Sequence, residues 1–317
     1  MSTNSSGSPV LSLLIPIYNV ERYLRECLDS AVAQTLKDIE IICINDGSTD
    51  KTPELLERYR ADPRVEILTQ SNRGLSGARN RALEHIRGKY ILFVDSDDTL
   101  RKGAVQALLS KAMETNADIV QGGFVNITGH GLVFGRTGYR EGSAAETGQT
   151  PYGMAWGKVI RSSIFAHLKF PEGYWFEDTI FAFCIGPFRP AHYLIPAYVY
   201  NYTRNPLGIT LRSRKKAKAV DTVWIMRYLM ADLAQKKEVH SAQVQQLLLQ
   251  HIALAWYRLS RLDEAVQQAA FLVMQQMYTA YYAPQDICVQ DSRLLALHQA
   301  LVAKNYGQYL AAAENLT

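Results

Sequence analysis

From residue 10 to residue 122, short apolar runs alternate with amphipathic ones. Residues 10–15, 39–44, 64–69, 90–94 and 118–121 are rich in apolar and β-branched side chains, and each reads as a short strand. Between them Leu24, Leu28, Ala31 and Val32 recur at helical spacing, as do Leu75, Ala78, Ala82 and Ile86. Thr52-Pro53-Glu54 has the order of an N-cap, a first-turn proline and a first-turn acid. Gly88 stands where a left-handed helix C-terminus is expected. Such alternation predicts an α/β fold with a mostly parallel sheet covered by helices on both faces. Past residue 210 the period changes. Val244, Leu247, Leu248, Ile252, Ala255, Trp256 and Leu259 fall at spacings of three and four, and similar patterns over 220–228 and 266–277 predict an all-helical C-terminal domain. Eight of the twenty glycines lie in residues 122–148, so a loop or edge hairpin is expected there. The predicted organisation is a tail over 1–9, an α/β domain over 10–209 and a helical domain over 210–317.

Composition changes this picture little. A 48% hydrophobic and 20% charged chain is ordinary for a globular protein, and a formal charge of +4 gives no reason to expect a nucleic-acid partner. Cys27, Cys43, Cys184 and Cys288 show no Cys-x-x-Cys spacing, which argues against a structural zinc site or a disulfide framework. Residues 1–9 lack the basic start and apolar core of a signal peptide. The richest apolar stretch, 180–200, is broken by Pro187, Arg189, Pro190 and His192, so no transmembrane segment is expected. The expected location is the cytoplasm, or peripheral contact with the inner face of a membrane.

Candidate chemistry sits at the strand exits. Asp95, Asp97 and Asp98 crowd directly behind the apolar run 90–94. Adjacent carboxylates leaving a buried strand repel one another unless something positive neutralises them. One reading is a divalent cation that also grips a diphosphate, since Mg²⁺ is usually held by one or two carboxylates plus substrate phosphates. The other is an acidic turn capping the helix near Ala104, which accounts for one Asp but not three. Ligands in parallel α/β sheets bind outside the carboxyl ends of the strands. Pro16-Ile17-Tyr18-Asn19 and Asn45-Asp46-Gly47-Ser48-Thr49-Asp50 leave neighbouring strands, so three polar exits are expected to converge on one crevice.

Five segments then occur in a telling order: Ile15-Pro16-Ile17-Tyr18-Asn19, Asn45 to Asp50, Asn72-Arg73-Gly74-Leu75-Ser76-Gly77-Ala78-Arg79-Asn80, Val94-Asp95-Ser96-Asp97-Asp98, and Phe176-Glu177-Asp178. Over roughly residues 10–205 the chain resembles the inverting family 2 glycosyltransferases of the GT-A fold that build bacterial surface polysaccharides. The resemblance implies a UDP-sugar donor, Mn²⁺ or Mg²⁺, and a glycan, glycolipid or glycoprotein acceptor. Pro16, Tyr18, Asn19, Asp46, Gly74, Arg79, Asp95 and Asp97 then fall on the donor side, with Tyr18 stacking on the uracil and Asp46 accepting from the pyrimidine or ribose. Asp95 and Asp97 form the D-x-D pair, Asp97 as the metal ligand, and Asp98 is left as a helix cap or outer support. Asp178 is implied as the base that removes the acceptor proton, with Glu177 orienting acceptor or donor sugar. An acid pair favoured by a helix dipole is the plain alternative for these two.

Weaker expectations concern the acceptor side: Trp156 and Lys158 in Trp156-Gly157-Lys158, with Tyr202 and Arg204. The basic run Arg212-Ser213-Arg214-Lys215-Lys216-Ala217-Lys218 could close over the diphosphate, meet anionic lipid or simply solvate a helix start. The C-terminal helices are expected to hold the acceptor side, support a homo-oligomer, or both. Two rivals remain. A sugar nucleotidyltransferase would place a glycine-rich basic loop after its first strand, where Pro16-Ile17-Tyr18-Asn19 stands instead. A silent nucleotide-sugar-binding scaffold has no need of Asp95, Asp97 and Asp178 together.

Overall fold

The computed structural model of the chain describes residues 8–147, 149, 153–185, 191–206, 208, 216–283 and 291–316. It divides into two compact units, Met1–Gly173 with Arg189–Asn205, and Tyr174–Phe188 with Pro206–Thr317.

The first unit is a mixed α/β layer structure. Its strands are β1 (Leu11–Ile17), β2 (Ile39–Asn45), β3 (Val65–Thr69), β4 (Tyr90–Phe93), β5 (Thr99–Leu100), β6 (Ile119–Thr128), β7 (Val133–Thr137), β8 (Gly142–Ser143), β9 (Lys158–Arg161) and β10 (His192–Arg204). The order along the sheet is β3-β2-β1-β4-β9-β6-β10-β5, with β7 on β6 and β8 on β10. β3, β2, β1 and β4 run parallel, β9 is antiparallel to both its neighbours, and β6 pairs parallel with β10. Every residue of β1, β2 and β4 is buried, as continuous apolar runs in a doubly covered sheet require. The helices are α1 (Leu24–Val32), α2 (Thr52–Glu57), α3 (Gly74–Leu83), α4 (Ala104–Thr115) and the short α5 (Ala144–Thr147). α1 buries Leu24, Cys27, Leu28 and Ala31, the stripe its spacing predicts. The glycine-rich stretch forms the β6–β7 hairpin, with Phe124 opposite Thr137; Gly148 lies outside the described residues.

Two local readings need correction. Thr52 is the first residue of α2 rather than its cap: its N–H donates to the Asp50 carboxylate at 2.9 Å, while its own hydroxyl accepts from Val20 N–H at 3.1 Å. Gly88 is not a left-handed helix terminus, because α3 closes at Glu84. Its constraint is close approach, since a Cβ there would stand 2.6 Å from the Ser12 amide nitrogen. The bare backbone lets Gly88 N–H donate to the Ser12 hydroxyl at 2.9 Å. Glu40 completes this buried seam by accepting from the Arg87 backbone and side chain, both at 2.7 Å.

The second unit holds α6 (Asp221–Gln235), α7 (Ala242–Leu259), α8 (Glu264–Tyr281), α9 (Ser292–Val302) and α10 (Tyr306–Glu314). Side-chain caps start four of them: Ser241, Asp263, Asp291 and Asn305 each accept from a first-turn N–H. Their apolar faces close a core around Leu229, Leu248, Ile252, Phe271, Met274, Tyr278, Leu297 and Tyr309. The division differs from the predicted 10–209 and 210–317, because Tyr174–Phe188 packs with the helices. Trp175 N–H donates to the Asp221 carboxylate at 2.8 Å, and Phe183 meets His251 edge-on at 4.9 Å. Cys27, Cys43 and Cys184 are buried free thiols, and Cys288 lies outside the described residues.

Candidate functional site

The parallel strands bring the ends of β1, β2, β3 and β4 to one edge of the first unit. Pro16 is the penultimate residue of β1, and the chain leaves the sheet through Tyr18, a residue 47% exposed. Asn19 follows with a positive φ of 49°, and its side chain accepts from Thr49 N–H at 2.8 Å, tying the β1 exit to the β2 exit. Asp46, at the end of β2, is buried, and its carboxylate takes three donors. One oxygen accepts from Gln70 Nε2 and Arg73 N–H, the other from Gly74 N–H, all at 2.8 Å. Asp46 thus holds the turn that opens α3. Gly47 has φ +72°, and a Cβ there would meet the Asn72 amide at 3.0 Å, so the two loops can lie this close only with glycine. Gly74, with φ +75°, opens α3 and faces empty space.

α3 carries polar residues on its buried face. Arg79 lies within 5.7 Å and 5.3 Å of the Phe93 and Phe170 ring centres, and its guanidinium donates to Asp95 at 2.8 Å. Asn80 exchanges two hydrogen bonds with the Phe170 backbone at 2.9 and 2.8 Å, and Arg73 grips Glu172 through both carboxylate oxygens at 2.9 Å. These contacts anchor residues 170–172 beside the Asp cluster.

The three carboxylates have separate surroundings. Asp95 pairs with Arg79, and its backbone N–H donates to the Tyr200 hydroxyl at 3.0 Å. Asp97 accepts from Asn205 at 2.8 Å; burial, then the charge of Asp95, pushes its proton affinity above the usual carboxylate range, while the Asn205 bond opposes this. Asp98 is fully buried and accepts from Thr203 N–H at 2.6 Å, which ties the β4 exit to β10. Burial first, then Asp97 and Asp95, raise its proton affinity further still. It is not the helix cap: α4 starts three residues past Arg101, behind Gly103.

A carboxylate that resists ionisation beside a second carboxylate is the state a divalent cation relieves. Among the described residues no three His, Cys, Asp or Glu side chains form a ready-made cage. The donor set therefore fits a hard cation held by one or two aspartates and completed by ligand phosphates, with Asp97 and Asp95 as the side chains available.

The remaining predicted residues divide. Trp156 and Lys158 are buried, Trp156 stacking on Tyr200 at 4.5 Å and Tyr202 at 5.3 Å and meeting Phe124 edge-on at 5.0 Å. Both side chains are buried in the sheet layer. Tyr202 is half-buried in that stack and Arg204 is exposed at the end of β10. Glu177 and Asp178 belong to the second unit, on a 3₁₀ turn, Glu177–Thr179, with Glu177 buried and Asp178 half-buried. Arg212, Arg214 and Lys215 lie outside the described residues, whereas Lys218 pairs with Asp221 at 2.6 Å and sits 5.9 Å from the Trp175 ring centre. Sequence reasoning missed Asn205, Asp221 and Arg258. Arg258 was findable in principle, because it follows His251 and Ala255 at helical spacing on an otherwise apolar face.

A family model described as Glycosyl transferase family 2 matches residues 12–169. The glycosyltransferase GlyA of Streptococcus pneumoniae is 30% identical over 293 residues, covering 84% of this chain and 41% of that protein, so the chain spans less than half of that relative. Among solved structures, residues 1–349 of S. aureus TarS in complex with UDP-GlcNAc superpose with a TM-score of 0.78 at 20% identity, over 96% of this chain and 90% of that one. The mannosyltransferase PcManGT from Pyrobaculum calidifontis, in complex with GDP-Man and Mn²⁺, gives 0.54 at 16% identity, over 98% and 87%. These likenesses identify the fold as GT-A with a helical C-terminal region.

Proposed function

Since the chain belongs to glycosyltransferase family 2 through residues 12–169, we propose that it transfers a sugar from a UDP-sugar to a hydroxyl of a growing glycan, with inversion and with help from Mn²⁺ or Mg²⁺. The observation that carries the reading is the charge arrangement at the β4 exit. A buried arginine neutralises Asp95, and Asp97 beside it is left needing a cation. That is an arrangement suited to a diphosphate with its metal and poorly suited to an apolar ligand. The UDP-GlcNAc bound to TarS favours a uridine nucleotide, and the GDP-Man and Mn²⁺ of PcManGT favour a metal-assisted nucleotide sugar.

In this reading Tyr18 offers its exposed ring to the base of the nucleotide, and Asn19 and Gly74 bound the space it enters. Asp46 acts by holding the Arg73–Gly74 turn, its oxygens already serving three donors. Arg79 pairs with Asp95 and holds it aimed at the ribose or donor sugar. Asp97 is the metal ligand, and a bound divalent cation would offset charge growing on the departing diphosphate. Asp178 takes the proton of the acceptor hydroxyl as that oxygen bonds to the anomeric carbon and the bond to UDP breaks. Attack opposite the leaving group converts an α-linked donor into a β-linked product. Among the described residues no helix is long and apolar enough to cross a membrane. Peripheral membrane contact and self-association through α6–α10 belong to the same proposal.

The test is a screen of UDP-, GDP- and dTDP-sugars with Mn²⁺, reading the nucleotide released. Metal-dependent UDP release is expected. Pyrophosphate release would replace the reading with a nucleotidyltransferase, and no release from any donor, with tight nucleotide-sugar binding, would leave a scaffold.

A further inference from the structure

The residue before the Glu177–Asp178 pair has a backbone that needs explaining. Phe176 adopts φ 65° and ψ 34°, the left-handed region, which a bulky aromatic residue rarely occupies unless its surroundings enforce it. Two clamps on this segment come from the helices of the second unit. At the start of α6, Asp221 accepts from Trp175 N–H at 2.8 Å and pairs with Lys218, which lies over the Trp175 ring. Near the end of α7, the Arg258 guanidinium sits 3.8 Å from the centre of the Phe176 ring and donates to the Thr222 hydroxyl at 2.8 Å. A cation within about 6 Å of a ring face is held by the ring's quadrupole, and guanidinium is the group best shaped for it.

We propose that Arg258 is a positioning residue for the base: it pins Phe176 in its left-handed state, thereby fixes the turn that carries Glu177 and Asp178, and places a buried positive charge beside them. This rests on the reading of Asp178 as the base. The charge environment agrees with it. Burial pushes the Arg258 guanidinium down to about 10, and the charges of Asp178 and Glu177 oppose that fall. Burial lowers the proton affinity of His251, two turns earlier on α7, and the same cation adds to that fall. A neighbouring cation favours the ionised carboxylate, so it keeps the base proton-free toward lower pH. Among the described residues, the charged or titratable groups around this turn within the unit include Tyr174, Glu177, Asp178, Lys218, Asp221, Tyr228, His251 and Arg258. Of these, Arg258 is the one placed against the Phe176 ring among the described residues, with the Trp175 ring edge-on at 6.4 Å.

Arg258→Met and Arg258→Lys test the idea, with Thr222→Val as a milder variant that removes the guanidinium's anchor. ¹³C NMR titration of the carboxyl groups, with the Asp178 signal assigned from Asp178→Asn, reads the effect without requiring turnover. In Arg258→Met the Asp178 titration, and the acidic limb of kcat/KM with it, should rise by about one pH unit. Turnover at neutral pH should fall while donor affinity stays constant. Lysine should restore most of the titration midpoint, and Thr222→Val should move it in the same direction as methionine by less. An unmoved Asp178 titration in folded Arg258→Met or Thr222→Val protein overturns the proposal. Normal turnover in Asp178→Asn removes the base assignment instead, so the two failures are distinct.

Discussion

Three aspartates within four residues have three different surroundings because each meets a different partner. Asp95 has Arg79, Asp97 has a neutral amide from Asn205, and Asp98 has a backbone N–H in full burial. Only Asp97 combines partial exposure with a raised proton affinity and no cationic partner among the hydrogen bonds it makes. It is therefore the residue whose loss should be felt through a metal. Asp97→Ala should weaken Mn²⁺-dependent UDP binding by at least about tenfold in calorimetry, while metal-free UDP binding changes little. Undiminished metal-linked binding would move the metal assignment to Asp95. Asp98 is buried and accepts from Thr203 N–H on β10, so its contacts serve the fold, and the proposed functional pair is Asp95 and Asp97.

At the scale of elements, strands were easier to read than helix faces. β1, β2 and β4 are buried on both sides, so their sequences are almost uninterrupted apolar runs, and the expected strands overlap the observed ones closely. α3 is harder to read, because its buried face holds Ser76, Arg79 and Asn80, with Arg79 on Asp95 and Asn80 on the Phe170 backbone, and no hydrophobic period reports that. Gly88 and Thr52 were misread for a related reason: their roles depend on β1 and on Val20, which are distant in the chain. α7 carries a prediction of its own. His251 packs on Phe183 and donates Nδ1–H to the Leu247 carbonyl at 2.9 Å, and burial lowers its pKa to about 4. For a base whose folded value lies below the ordinary ~6.5, the stabilisation is complete above that ordinary value and is lost as pH falls toward the folded one. The protein should lose stability between about pH 6.5 and pH 4. The His251 share is on the order of 3 kcal/mol, from ~1.4 kcal/mol per pH unit. Denaturant melts across this window should show a flatter pH profile for His251→Phe than for the wild type. An equal slope would place the acid sensitivity elsewhere, with His192, lowered to about 3 by burial, the next candidate.

At the scale of the whole molecule, the residues proposed for the reaction are found in both packing units. The residues proposed for the donor come from strand exits of the first, while Glu177 and Asp178 ride on a segment that packs with the C-terminal helices. The family match ends at residue 169, before that pair, so the base assignment rests on the Phe176-Glu177-Asp178 motif and on the clamps around it. The motif was legible because acids behind aromatics stand out; the clamps were not, because Asp221 and Arg258 lie 43 and 80 residues beyond Asp178 in the chain. In the proposed function Asp178 deprotonates the acceptor hydroxyl. The most direct measurement is turnover and donor affinity in Asp178→Asn, which preserves shape and removes the charge. Turnover should fall by roughly 10²–10⁴-fold with donor affinity unchanged. Near-normal turnover would contradict the account and pass the role of base to Glu177.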